Sequence, residues 1–188
     1  MTGAGNVSQE RKFCRFAATP RPEEGVWGVP KDGFCLSSFV VLSPEGVPGS
    51  VLVGKVSPSA PWGEIGGLDS RRIQLNWQGW MIPSCHLLQG ESPQAAAVRV
   101  LKEQLGKESV RLGPPEIFSE VYTPRRHSGL SEHWDLEFVF RGTLPEAEPP
   151  QHVAWAELKY LDIAHTPRTE FIRSHDEILE NLHFRFPE

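Results

Sequence analysis

Long apolar runs are missing from this 188-residue chain, and its amino terminus lacks the apolar core of a secretory signal, which argues against a membrane span and against export. Cysteine is scarce. Cys14, Cys35 and Cys85 share no metal-ligand spacing and leave one thiol unpaired under any bridging scheme, so the chain reads as a reduced, cytoplasmic protein. Cys85 beside His86 has the composition of a thiol nucleophile and its base, but neighbours on an extended segment point apart. Basic runs are short as well: 19 Lys and Arg stand against 24 Asp and Glu, and a net charge of −5 argues against general binding to nucleic-acid duplexes. There is no internal repeat.

What is present is a chain with 39% hydrophobic and 23% charged residues, long enough for one well-buried α/β domain and short for two. Residues 31–188 form that domain, and residues 1–30 form an amino-terminal extension, partly flexible, that opens with the polar MTGAGNVSQERK. Its proline-rich end, 19–33, can cover its own sheet or cross to a partner subunit, which leaves a homodimer open. Two β-rich runs, 34–42 and 50–56, flank the turn-forming SPEGVPG and predict a hairpin. Residues 57–79 read as a loop with a short mixed stretch. In it Trp62 and Trp77 are candidates to stack on a base or to cap a small core, and Arg71 and Arg72 to meet phosphate or solvent. Residues 117–122 and 134–141 predict an antiparallel pair whose second strand sets Trp134, Leu136, Phe138 and Phe140 against His133, Asp135, Glu137 and Val139. After the proline-rich connector LPEAEPPQ come a strand over 154–161 and a last helix over 169–184. His175, Asp176 and Glu177 are adjacent on that helix and do not face one another, so they are discounted as a metal cluster.

The chemistry concentrates between Trp80 and Gly106. Trp80-Met81-Ile82-Pro83 ends a short strand, because proline cannot donate to a ladder. Ser92 is placed to cap a helix with Pro93 in its first turn, Ala95-Ala96-Ala97 favour it, and Gly106 sits where a left-handed cap belongs. The predicted helix, 93–105, carries Ala97, Val98, Leu101 and Leu105 on its apolar stripe, with Arg99, Glu103 and Gln104 away from its middle. Positions 100, 103 and 104 share one helical face, where three carboxylates would hold hard divalent cations and a substrate's phosphates.

Those residues resemble the signature of the Nudix superfamily: a glycine, an acid, an Arg-Glu pair, an aliphatic residue, a Glu-Glu pair, a glycine and a last aliphatic residue. The match runs without a gap from Cys85 to Lys107. Glu91 takes the first acidic position, with Arg99, Leu101, Glu103 and Gly106 following in place. Cys85, Val100, Gln104 and Lys107 depart from the pattern, and the family's common Trp-x-Leu-Pro-Gly-Gly lead breaks at Ser84-Cys85 after Trp80-Met81-Ile82-Pro83.

The resemblance implies a Nudix-like α/β/α sandwich with a central mixed β-sheet and a loop-helix-loop box. It also implies a hydrolase of the pyrophosphate bond in a nucleoside diphosphate linked to another moiety, with Mg²⁺ or Mn²⁺ as cofactor. Glu103, Glu91 and Arg99 are the catalytic candidates, Glu103 and Gln104 the metal candidates, and Arg125 and Arg126 the candidates for gripping phosphate. Glu120, Glu132, Asp135 and Glu137 are the acids available to replace those missing from the box. Loss of two of three helix acids predicts weak activity. The alternative is an inactive Nudix-fold binding or protein-interaction module.

Overall fold

A computed structural model describes residues 34–122, 133–145 and 147–188. The extension 1–30, Cys14, Arg125, Arg126 and Glu132 lie outside them. Among the described residues, six strands and four α-helices follow in the order β1 (Phe34–Pro44), β2 (Ser50–Val56), α1 (Trp62–Ile65), α2 (Ser70–Asn76), β3 (Ser84–His86), α3 (Pro93–Leu105), β4 (Glu116–Tyr122), β5 (His133–Leu144), β6 (Trp155–Asp162) and α4 (His175–Asn181). A mixed sheet runs β3-β1-β5-β4, with β1 parallel to β5 and antiparallel to β3, and β4 antiparallel to β5. A second, two-stranded sheet pairs β2 with β6. Among the described residues no helix is long and apolar enough to cross a membrane.

The alternation of β1 assigns its two faces to different cores. Val40 and Leu42 point to the side covered by α3, where they meet Ala96, Ala97, Val100, Leu101 and Phe140. Phe39 and Val41 point to the other side, among Val139, Phe171, Ile178 and Leu179. A strand buried on both faces reads as a continuous apolar run, as 39–42 does. Residues 80–86 tie the sheets together: Gly54 and Met81 exchange backbone hydrogen bonds, and Val40 donates to the Pro83 carbonyl.

Three expectations need correction. Residues 34–42 and 50–56 do not form a hairpin, since β1 pairs with β3 and β5 while β2 pairs with β6. The turn between them is real, with Val47 N–H donating to Pro44 and Ser50 N–H to Val47, but it carries the chain from one sheet to the other. The helix expected over 169–184 is confined to α4, because Phe171 bridges to Trp80 and Arg173 and Ser174 have φ of 56° and 59°, in the left-handed region that stops a helix. The stretch 57–79 is no open loop. It folds as α1 and α2, the latter capped by Asp69 accepting from Arg72 N–H at 2.8 Å.

Candidate functional site

α3 starts and stops as its sequence dictates: Ser92 accepts from Ala95 N–H at 3.1 Å, Pro93 occupies the first turn, and Gly106 closes the helix at φ 62°. Its buried face is Ala96, Ala97, Val100, Leu101, Gln104 and Leu105, whereas Val98 is exposed. The expected stripe was therefore rotated, and the rotation takes in both positions where the signature wants acids. Val100 and Gln104 are each 0% exposed. Gln104 spans the core, its Nε2 donating to the Ser84 carbonyl at 2.7 Å while its backbone carbonyl accepts from Trp155 Nε1 at 2.9 Å. Its Oε1 is buried without a hydrogen-bond partner among the described residues.

Glu91 and Arg99 meet as a forked pair, with Arg99 Nε 2.9 Å from Glu91 Oε1 and an Arg99 terminal nitrogen 2.8 Å from Oε2. Glu91 also accepts from Leu88 N–H at 2.8 Å, and Arg99 donates to the carbonyls of His86 and Ile65 at 3.0 and 3.3 Å. The pair thus clamps the loop before α3 to α3 itself and to α1. Burial opposes the guanidinium charge, but its hydrogen bonds to Glu91 and the charges of Glu91 and Glu103 hold Arg99 above its ordinary range. Cys85 takes the place of the signature's first glycine. Burial pushes its thiol up to about 12 despite Arg99 beside it, so it stays protonated and is no nucleophile.

The segment between β2 and β3 closes over this side of α3. Trp62 is fully buried, donates to the Ala154 carbonyl at 3.0 Å and meets Trp155 edge-on with centroids 4.9 Å apart. Trp62 is a core residue, while Trp77 is exposed and Arg72 is buried beside Asp69 at 3.7 Å.

The box donors do not fit a hard divalent cation. Val100 has no ligand atom, Gln104 has no exposed surface, and both oxygens of Glu91 are engaged by Arg99 and Leu88. Glu103 is the one box carboxylate left on a partly open flank. The three candidate replacement acids among the described residues do not converge on it. Asp135 and Glu137 share the sheet face of Val139, opposite α3, and Glu120 accepts from Asn181 of α4 at 2.6 Å.

Burial first, then the charges of Asp135 and Glu120, push Glu137 up to about 8 against the pull of Arg173. Beside it, His133 Nε2 lies 3.3 Å from Asp135 Oδ2. Sequence reasoning singled out these acids for a metal but did not pair them with Cys35. The signal was the register of parallel β1 and β5, which sets Cys35 opposite Asp135 and which no local pattern encodes. A cleft of about 550 Å³ bounded by Val41, Pro44, Leu112, Arg141 and Phe184 includes none of the box residues.

No family sequence model and no curated protein sequence matches this chain. Solved structures do. The MutT protein from Methanosarcina mazei Go1 is 14% identical, with 85% of this chain and 100% of that one covered at a TM-score of 0.51. The NUDIX domain of Shewanella oneidensis NrtR, complexed with ADP ribose, is 13% identical over 87% of this chain and 92% of its own, also at 0.51. The MutT NUDIX hydrolase from Burkholderia pseudomallei is 14% identical over 78% and 96%, again at 0.51. Identity this low establishes architecture alone, and the architecture of this chain is the Nudix fold.

Proposed function

We propose that this chain is a Nudix-fold recognition module for a nucleoside diphosphate linked to another moiety, with hydrolysis of the pyrophosphate bond reduced to a residual level. The observation that carries the reading is the complete burial of Val100 and Gln104, which turns the face that would hold metal into core. General-base and metal assistance are together worth several orders of magnitude in rate, and general-base assistance alone accounts for about 10²–10⁴. A site left with Glu103 alone forfeits most of it. The ADP-ribose held by the Shewanella domain supports the ligand class and sets the first compound to test. Arg125 and Arg126 are the proposed phosphate contacts.

The hydrolase reading rests on Glu103, whose carboxylate still stands on the partly open flank of α3. Calorimetric titration with ADP-ribose, beside a released-phosphate assay over nucleotide sugars, dinucleoside polyphosphates and nucleoside triphosphates in Mg²⁺ and Mn²⁺, separates the two. Saturable binding with no more than residual turnover is expected. Sustained metal-dependent turnover that disappears in Glu103→Gln would overturn the recognition reading in favour of the enzyme. Absence of both binding and turnover would overturn the ligand class.

A further inference from the structure

We infer that Cys35, His133 and Asp135 form a binding site for a borderline divalent cation of the Zn²⁺ class, on the sheet face opposite the box and independent of it. One ligand atom from each residue falls in a cluster within 4.8 Å of the others. Tetrahedral zinc with bonds of about 2.0–2.3 Å spaces its ligands roughly 3.5 Å apart, so small side-chain movements close the cluster on an ion. The His133–Asp135 separation of 3.3 Å is already there. The strands hold these residues rigidly: Cys35 faces Asp135 across the parallel β1–β5 ladder, and His133 precedes Asp135 by two positions on the same face of β5. All three lie near the starts of their strands.

The donor set of thiolate, imidazole and carboxylate is that of zinc rather than of magnesium. Zn²⁺ takes the thiolate and the neutral imidazole, so binding releases the Cys35 Sγ proton, and that of the imidazole where it is charged, to solvent, and affinity rises with pH.

A second, independent observation points the same way. Asp135 Oδ1 and Glu137 Oε2 are both buried with no hydrogen-bond partner among the described residues, and Glu137, 93% buried, is two residues along from Asp135 on the same face. Unpaired carboxylate oxygens inside a protein are costly unless something cationic answers them. A bound cation gives Asp135 Oδ1 a partner directly. Glu137 is then the outer residue that orients the site or a water on the ion's fourth position.

The test is titration of the full, metal-free chain with Co²⁺, read by the thiolate-to-cobalt charge-transfer band, with Zn²⁺ in competition. A saturable band that Zn²⁺ displaces and that strengthens with pH is expected. Cys35→Ser and His133→Gln should abolish it, Glu137→Gln should weaken affinity by about 10-fold or more, and Cys14→Ser, Cys85→Ser and Glu103→Gln should leave it intact. Absence of the band, or its survival in Cys35→Ser, overturns the site. Because the Cys35 and His133 variants can lose their fold, X-ray absorption of the Zn²⁺-loaded Cys14→Ser chain gives a second reading. One sulfur in the coordination sphere agrees with the assignment, and a shell of nitrogen and oxygen alone overturns it.

Discussion

At position 104 a single amide nitrogen decides what α3 can do. Gln104 donates at 2.7 Å to a carbonyl that has been removed from water, and a glutamate there would set acceptor against acceptor. The spacing of the signature invites restoring acids at 100 and 104 to rebuild a metal face. The structure predicts a different outcome. Gln104→Glu leaves the Ser84 carbonyl unsatisfied, at a cost of about 1–3 kcal/mol before any charge is buried, and Val100→Glu places a carboxylate among Ala97, Leu101 and Phe140. Urea denaturation should show both variants destabilised, and the double variant should gain no Mn²⁺-dependent phosphate release. Turnover in a double variant as stable as the parent would refute this. Arg99 is a second residue whose role is mechanical, since its forked pair with Glu91 is about nine-tenths buried on both sides. Arg99→Met strands a buried anion and should cost about 3–5 kcal/mol. Adding Glu91→Gln should recover part of that loss, and a double variant no better than Arg99→Met alone would show that the clamp is not electrostatic.

The elements that were legible in the sequence are those whose ends carry local chemistry. Ser92-Pro93 and Gly106 mark α3, the alternation of 134–140 marks β5, and the aromatic run after the proline-rich connector marks β6. What was not legible depends on partners far along the chain. The turn at 43–49 says that the chain reverses but not that β1 will be claimed by β5, a hundred residues on. The apolar spacing of Phe171, Ile172 and Ile178 fits a helix equally well whether or not Phe171 is taken by Trp80. In the box, the residues at 100, 103 and 104 were correctly placed on a helix. The direction in which they face is set by the packing of α3 on β1, β3 and α1, elements that no pattern within the helix announces. This difference is measurable. Ser92→Ala should cost about 1 kcal/mol through the lost cap, whereas Trp62→Ala, in a stretch that reads as loop, should cost about 3–5 kcal/mol because it empties the core under the box. Thermal unfolding of the two variants should rank them in that order, and equal losses would mean that the segment is a surface flap.

Across the whole molecule, the two cores differ in what they bury. The α3 side buries Ser38, Gln104 and the Arg99–Glu91 pair beside its apolar residues, while the α4 side takes in His175, Asp176, Glu137 and His133 as well as its aliphatic residues. Titration should therefore act on stability through the α4 side. Glu137 titrates at about 8 in the folded chain against an ordinary 4.5, so between those values the folded state holds a proton that the unfolded chain has released. Its contribution is complete below pH 4.5 and is lost as pH rises through 8. His133, raised from 6.5 to about 10, acts with the same sign over a higher window. His175 opposes them. Its fully buried ring accepts the Ile82 N–H at Nδ1, and burial, with Arg173 adding to it, holds it neutral well below the usual imidazole range, so it withdraws stability as pH falls below 6.5. Stability should accordingly peak on the acid side of neutrality and fall towards pH 9. Glu137→Gln isolates one part of that curve: the amide keeps the shape and never ionises. Its stability relative to the parent should rise between pH 5 and 8 by an amount on the order of 1–3 kcal/mol and then level off. Urea midpoints for parent and variant at four or five pH values measure the difference, and a gap that stays constant with pH would mean that Glu137 is ionised throughout, its charge answered by a group on the same sheet face.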